Sequence, residues 1–218
     1  MSRASLSRRH YLRLPSRARR GQSLVEFTVM LPVLLIMISG LIEFGFMLNY
    51  YLDLIDAARE ATRWAAGEDP VHDLAGTWVD DPDGDFYTEV HQVALDSINI
   101  GSGAQISLDP ASDDIVISAF AVNADGNVVA RFPSAVGENG RCRYNYPTCN
   151  HTSNFTSAQV EALLDADAPS TGIVMVEIWY DYHMILGLPW ITAFVPDPLT
   201  LYAYTMMPNP NVEPTPTP

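Results

Sequence analysis

The sequence contains no lysine, and this absence limits the chemistry that the chain can perform. All twelve basic residues are arginines, so a lysine nucleophile is excluded. Other signatures of catalysis are also missing: there is no Gly-x-Ser-x-Gly segment, no P-loop and no pair of histidines at metal-binding spacing. His72, His91 and His183 are scattered without neighbours that would form a site. The sequence therefore predicts neither catalytic residues nor a cofactor.

The first 21 residues contain no acid, although the whole chain is strongly acidic. They hold seven of the twelve basic residues, and the remaining five arginines are outnumbered by 26 acids, which gives the chain a net charge of −14. A surface of this sign repels a phosphate backbone, so nucleic acid is excluded as a partner. The pattern predicts a basic cytoplasmic leader at residues 1–21, ahead of an acidic body.

An apolar run separates these two regions of opposite charge. No residue from Phe27 to Ile42 is ionisable, and the longer stretch Leu24–Leu48 is interrupted only by Glu26 and Glu43. As a helix, the longer stretch would measure about 37 Å, which exceeds the roughly 30 Å of a hydrocarbon core. Because basic residues mark the cytoplasmic flank, we expect a single-pass protein of the cytoplasmic (inner) membrane, with the lipid bilayer as a partner and the C-terminal part extracytoplasmic. The alternative is a core helix of a soluble protein.

The helix is predicted to continue beyond the membrane. Apolar residues recur there at three- and four-residue steps between charged residues, and the pattern ends at Gly67 to Pro70. The sequence thus predicts a transmembrane and protruding helix over residues 22–66, an extracytoplasmic domain over residues 67–207, and a disordered Pro/Thr tail over residues 208–218.

The remaining patterns predict an α+β fold, in which the long N-terminal helix carries a small, mostly antiparallel sheet with two short helices. Residues 71–86 are predicted to form an acidic loop, and the short helices are predicted near Tyr87–Ser97 and Ser157–Leu164. Asp125-Gly126 is predicted to be a two-residue hairpin turn with positive φ at both positions. Strand patterns occur around Ile106 and Leu108 and at Ile115–Val122, Val128–Phe132, Ile173–Tyr182 and Leu199–Met206.

Two cysteines lie in a segment rich in glycine, asparagine and proline. In an extracytoplasmic domain, Cys142 and Cys149 are predicted to close one short disulfide loop. A zinc site with the nearby His151 is disfavoured, because zinc requires four ligands and the segment offers three at unsuitable spacing. The acidic residues 80–85 fail the EF-hand pattern, and a solvated turn is favoured there over a looser calcium loop. No metal is expected.

Residues 187–198, called the apolar loop below, are unusually hydrophobic for a connection between strands. An exposed patch of this kind usually marks a partner or membrane surface, although the loop could instead fold over the sheet and complete the core. As an interface, it would offer Trp190 and Phe194. These residues would dock against the helical stripe containing Leu52 and Ile55, or against the helix of a neighbour.

The junction between leader and apolar run is the most informative stretch: Arg19-Arg20-Gly21-Gln22-Ser23-Leu24-Val25-Glu26-Phe27. Glu26 is costly in an apolar helix unless it finds a partner. Cleavage after Gly21 would give Gln22 a free α-amino group, a cation that could pair with Glu26 of a neighbouring subunit. Glycine suits a protease that needs an unhindered backbone.

This junction resembles the class III signal of type IV pilin-like proteins, which a prepilin peptidase cuts. A longer stretch is similar to the TadE-like minor pseudopilins of the tight-adherence (Flp-type) pilus system, through Leu31-Pro32, Ile42-Glu43-Phe44-Gly45 and Ala57-Ala58-Arg59-Glu60-Ala61. The resemblance implies a pilus-assembly component and not an enzyme, processed between Gly21 and Gln22, with Glu26 and Glu43 as assembly residues. It implies prepilin peptidase, other pilins or pseudopilins and the pilus assembly platform as partners. For Glu43, an acid that simply faces the lipid headgroups is an equally open interpretation.

Three other interpretations fit the N-terminus less well. A twin-arginine export motif at Ser7–Arg13 is separated too far from an apolar run that is itself too long for a cleaved secretory signal. An arginine-rich, acid-free leader also occurs in mitochondrial transit peptides. A membrane-tethered binding or sensor domain unrelated to pili is the main competing function, and it gives no reason for cleavage at Gly21.

Overall fold

A computed structural model describes residues 19–74, 77–80, 85–101, 106–164 and 171–212. The chain divides into two compact units, residues 1–42 and 43–218. The helices are α1 (Arg19–Ala65), α2 (Asp85–Gly101), α3 (Ser157–Glu161) and α4 (Pro189–Thr192). The strands are β1 (Val71–Leu74), β2 (Thr77–Asp80), β3 (Asp114–Val122), β4 (Val128–Phe132), β5 (Arg141–Cys142), β6 (Gly172–Tyr182) and β7 (Leu199–Asn209). The predicted α+β class is confirmed.

The described part of the first unit is the apolar half of α1. The helix Gly21–Ala65 is long and apolar enough to cross a membrane, with a mean hydropathy of 2.3 in its apolar window. Thr28 and Ser39 direct their hydroxyls to backbone carbonyls of their own helix, at 2.8 Å from Leu24 and 3.0 Å from Ile36. These bonds satisfy polar groups that lipid cannot satisfy.

The second unit is built around an antiparallel sheet with strand order β4-β3-β6-β7, in which β5 also pairs with β3. Strands β6 and β7 pair along their whole length, from Gly172 opposite Asn209 to Tyr182 opposite Leu199. Every residue of β3 is buried, which fits its mostly apolar sequence and its central position. This pairing is longer than that of β3 with β6, which runs from Asp114 opposite Trp179 to Phe120 opposite Ile173.

The C-terminal half of α1 forms part of the core of the second unit. Its inward positions are small or aliphatic and fully buried: Leu54, Ala57, Ala58, Ala61 and Ala65. They share one hydrophobic cluster with α2 and with the alternate residues of β6, Val174, Val176 and Ile178. Small residues at helical spacing allow the helix to approach the sheet closely. Residues 43–65 belong to the second unit by packing, and the division into functional domains after residue 66 stays a prediction.

Residues 71–86 differ from the predicted acidic loop. They contain the hairpin of β1 and β2, with Val71 opposite Asp80 and Leu74 opposite Thr77, and α2 already begins at Asp85. The acidic side chains of this segment obscured its strand pattern. Residues 81–84 lie outside the described part of the chain, and the suggested calcium loop over residues 80–85 falls largely on them.

The predicted strand at Ile106 and Leu108 is wrong. Both side chains are buried, but their backbone belongs to no strand. The chain turns directly afterwards. The Asp109 amide donates to the Asp113 carboxylate at 2.7 Å, and the Asp113 amide donates to the Asp109 carbonyl oxygen at 2.8 Å. Side chains that alternate between buried and exposed therefore do not by themselves require backbone pairing in a β-sheet.

The turn between β3 and β4 is longer than the predicted two-residue turn. Gly126 has the expected positive φ of 80°, whereas Asp125 is not among the positive-φ residues. The side chain of Asn123 accepts from the amides of Asp125 and Asn127 at 3.1 and 2.8 Å. A register shift at Ala121/Val122 accompanies this wider turn.

Strand β7 continues into the predicted tail. It ends at Asn209, and Val212 is still buried. The side-chain amide of Asn209 donates to the carbonyl oxygens of Ala65 and Glu68, both at 2.9 Å, and so caps the end of α1. Residues 213–218 lie outside the described part of the chain.

Candidate functional site

The N-terminal junction lies on an exposed part of α1. Gln22 and Glu26 are one helical turn apart, and the Gln22 side-chain amide donates to Glu26 Oε1 at 3.1 Å. A Cβ added at Gly21 would meet no described atom within 4 Å. Packing in the described structure therefore does not require glycine at this position. The structure thus brings together Gln22 and Glu26, two predicted site residues that both follow the predicted cut after Gly21.

Glu43 lies in a buried network and not on an open helix face. Its side chain is 5% exposed. Its Oε1 accepts from the Tyr182 hydroxyl at 2.6 Å and from the Ile185 amide at 2.9 Å, while its Oε2 accepts from the Leu186 amide at 2.8 Å. The suggestion that Glu43 simply faces the lipid headgroups is therefore wrong. Three donors compensate the desolvation of this carboxylate.

Tyr182 holds Glu43 within an aromatic group. Burial and the hydrogen bond to Glu43 raise the pKa of the Tyr182 hydroxyl above its ordinary value. The ring of Tyr50 meets that of Tyr182 edge-on at 5.2 Å and stacks on Tyr180 at 6.0 Å. Burial raises the pKa of Tyr180 to about 12. Tyr182 therefore remains a hydrogen-bond donor at neutral pH.

The apolar loop starts from this network. Glu43 fixes Ile185 and Leu186, and the Asp197 carboxylate accepts from the Met184 amide at 3.3 Å, which draws the two ends of the connection together. Between these ends, Phe194 is 88% exposed and Trp190 is 41% exposed. The alternative in which the loop folds over the sheet and completes the core does not fit this exposure.

The other interface candidates lie two to four turns farther along α1. Leu52 is exposed, whereas Ile55 packs against the main core. The neighbouring Ala58 is fully buried. The proposed stripe is therefore largely covered by the sheet of its own chain, and its role as an interface remains a prediction.

The disulfide predicted between Cys142 and Cys149 is present, with a Cα–Cα distance of 5.7 Å. The buried Asp114 carboxylate holds the loop against the sheet, because its Oδ1 accepts from the amides of Arg143 and Tyr144 at 3.0 and 3.2 Å. Burial raises the pKa of Asp114 despite these bonds. His151 stacks on Trp179 at 5.3 Å, with its Nε2 2.9 Å from the Ser112 carbonyl oxygen.

A second buried polar group lies on the same face of the sheet. Glu177 accepts from the Asn154 amide at 2.9 Å and from the Tyr202 hydroxyl at 2.6 Å, and burial raises its pKa. Arg131 donates to Ser118, to Glu138 and to the Phe155 carbonyl. Sequence reasoning missed these residues. The available signal was a charge inside an apolar strand pattern, at Glu177 and at Asp114.

Helix α1 thus combines an apolar half, long enough to cross a membrane, with a second half that contributes to the core of the α+β body. Residues 21–63 match the sequence model of a family described as TadE-like protein, which confirms the resemblance seen in the sequence. No curated protein and no solved structure matches the chain. The family match is confined to α1 and covers no strand of the body.

Proposed function

We propose that this chain is a minor pseudopilin of a tight-adherence (Flp-type) pilus assembly and secretion system. In this role it is anchored in the cytoplasmic membrane with its basic leader inside, and a prepilin peptidase processes it after Gly21. The carrying observation is that the family match begins at residue 21, where the acid-free leader ends. The chain also keeps its largest apolar surface on the helix that follows this point.

Glu26 supplies the pairing group for assembly. In the uncleaved chain it accepts from the neutral amide of Gln22. An amide does not neutralise a carboxylate, so a cation remains the better partner in an apolar setting. Cleavage after Gly21 creates such a cation at the Gln22 backbone nitrogen. Pairing of this group with Glu26 of an adjacent pilin or pseudopilin would fix the register between helices.

Processing is tested by mass spectrometry of the protein after co-expression with a prepilin peptidase. We expect the mature chain to begin at Gln22 and Gly21→Leu to abolish cleavage while membrane insertion is retained. Gly40→Leu is the matched control, because neither glycine has a described atom within 4 Å of an added Cβ, and this variant should be processed normally. A mature wild-type chain that still begins at Met1 or Ser2 would contradict the proposal and favour a tethered binding or sensor domain.

A further inference from the structure

We propose that the apolar loop, together with Ile185 and Leu186, inserts into the lipid interface beside the point where α1 leaves the bilayer. The body of the protein would then contact the membrane through a second element besides its helix. This inference rests on the membrane anchor in the proposed function, but not on processing or on a role in a pilus.

Covalent adjacency sets the depth of this segment. Glu43 follows Ile42, the last residue of the uncharged run, and its carboxylate accepts from the Ile185 and Leu186 amides at 2.9 and 2.8 Å. A helix over residues 24–42 measures about 28 Å, close to the roughly 30 Å hydrocarbon thickness. The edge of the hydrocarbon therefore falls at Glu43 or just beyond it. The residues bonded to Glu43 lie at the same level.

The helix surface next to Glu43 is also apolar. Phe44, Phe46 and Leu48 follow the buried carboxylate, and all three side chains are exposed in the described structure. Water at this level would face large apolar side chains of the helix and of Ile185 and Leu186. Such a patch is rare on soluble proteins and is expected at a membrane surface.

The composition of the loop suits the interface between lipid and water. From Met184 to Pro196 the sequence contains no ionisable residue, and the charged groups lie at its two ends, His183 and Asp197. Trp190 lies within α4, and the nearby Phe194 is 88% exposed. Tryptophan is enriched at membrane interfaces because its ring is apolar and its N–H is polar.

Lipid is favoured over a second copy of the chain because Glu43, at the end of the uncharged run, fixes the start of this segment through Ile185 and Leu186. Any isolated copy in a bilayer would meet lipid there, without the need for association. A covering protein would instead have to displace lipid from Phe194 and its neighbours. The number of copies per bilayer therefore separates the two occupants experimentally.

The test uses full-length protein in nanodiscs that hold one copy each, made with lipids brominated near the headgroup end of the acyl chain. Bromine quenches tryptophan only on close approach, so the emission lost between wild type and Trp190→Phe reports on Trp190. In the Trp190→Phe background, Phe194→Trp places a second reporter at the most exposed position of the loop. We expect both reporters to be quenched several-fold more strongly by brominated lipid than by a quencher dissolved in water.

Two control reporters define the scale in the same background. Leu34→Trp lies in the middle of the apolar half of α1, so it should be quenched in matching nanodiscs whose lipids are brominated near the end of the acyl chain. Leu163→Trp is the matched control, because Leu163 is 63% exposed and follows α3. Val160 of α3 packs on Met175, which lies towards the end of β6 opposite to Tyr182, so position 163 is far from the apolar loop. Tryptophan at position 163 should be quenched only by the quencher dissolved in water.

Three results would overturn the inference. Loop reporters that behave like position 163 would place the loop in water. Reporters shielded from both quenchers only when discs hold several copies would show that a second copy covers the loop. An unquenched tryptophan at position 34 would show that α1 is not in the bilayer, and the inference would then be wrong. Normal anchoring without cleavage at Gly21 would contradict only the processing step and would leave this inference intact.

Discussion

At the scale of single residues, the two acids of the apolar helix have different surroundings. Glu26 is exposed on its own helix and has the neutral Gln22 amide as a partner. Glu43 is buried and accepts three hydrogen bonds from the segment that follows β6. The same residue type thus gives one carboxylate that is available to a neighbour and one that holds the chain's own fold together.

Glu43→Gln should loosen the start of the apolar loop. The glutamine NH₂ group would face backbone donors, so at least one amide of Ile185 or Leu186 would lose its acceptor. An unsatisfied buried donor costs about 1–3 kcal/mol, and the free energy of unfolding should fall by this amount. Hydrogen exchange of full-length protein in nanodiscs should be faster at these two amides.

Glu26→Gln is the control for that experiment, because it makes the same change at an exposed carboxylate of the same helix. It should leave hydrogen exchange in the apolar loop and the free energy of unfolding unchanged. Protected Ile185 and Leu186 amides in Glu43→Gln would show that the carboxylate does not hold the loop.

At the scale of elements, α1 combines two roles that its sequence divides near Glu43. The preceding half is apolar on all sides and suits lipid. The following half directs alanines and Leu54 into the body and keeps Asp56, Arg59, Glu60 and Arg63 on its outer side, where they form exposed i,i+3 ion pairs. Such pairs contribute little to stability, so packing against the sheet determines the position of this half.

Glu26→Leu should separate membrane insertion from assembly. Leucine removes the cost of a carboxylate in the apolar half, so insertion and cleavage after Gly21 should be normal. The α-amino group of a neighbouring subunit would lose its partner, at a cost of several kcal/mol in an apolar setting. Co-purification with the other pilins and pilus output should therefore fall strongly.

Glu60→Leu is the matched control on α1, since it replaces an acid of the outer, ion-paired face. Its co-purification and pilus output should stay close to wild type. Normal output from Glu26→Leu would refute the proposed pairing, even if cleavage at Gly21 is established.

At the scale of the whole molecule, both faces of the sheet are covered within the second unit. Helices α1 and α2 cover one face, while α3 and the disulfide loop pack on the other. This arrangement buries titratable groups between layers. His91 on α2 is one of them, with its Nε2 3.1 Å from the Ile115 carbonyl oxygen of β3.

The contribution of His91 to the free energy of unfolding should decrease as the pH falls from about 6.5 towards 3. Burial, together with the positive charges of Arg143 and Arg141, lowers the pKa of His91 to about 3. Between these values the unfolded chain binds a proton that the folded chain does not, so acid favours unfolding. His91 alone contributes a slope of up to about 1.4 kcal/mol per pH unit. Thermal unfolding of full-length protein in nanodiscs, measured across this range, reports the slope.

His91→Gln keeps an N–H donor for the Ile115 carbonyl but does not titrate, so the slope should become shallower. Asp114 and Glu177 have raised pKa values and act in the opposite direction, which makes the difference between variants more informative than the total slope. An identical slope in His91→Gln and wild type would contradict the assignment.

The sequence by itself determined the features that depend on near neighbours. The apolar helix, the amphipathic continuation, the strands near residues 115, 128, 173 and 199, and the disulfide followed from local periodicity and composition. The family resemblance was also contained in one continuous segment, residues 21–63. Each of these features depends only on residues that are close together in the chain, because the spacing of apolar residues within one segment shows which side of that helix or strand faces a core.

Only the tertiary structure determined which partners the polar groups of those elements bind and whether they are buried. The bond between Tyr182 and Glu43 joins residues 139 positions apart, and no local pattern indicates that this acid is buried against a loop and not facing lipid headgroups. The absence of a strand at Ile106 and Leu108 was decided in the same way, by the turn formed after them. Hydrogen-bond partners depend on which segments pack together, and that information is distributed over the whole chain.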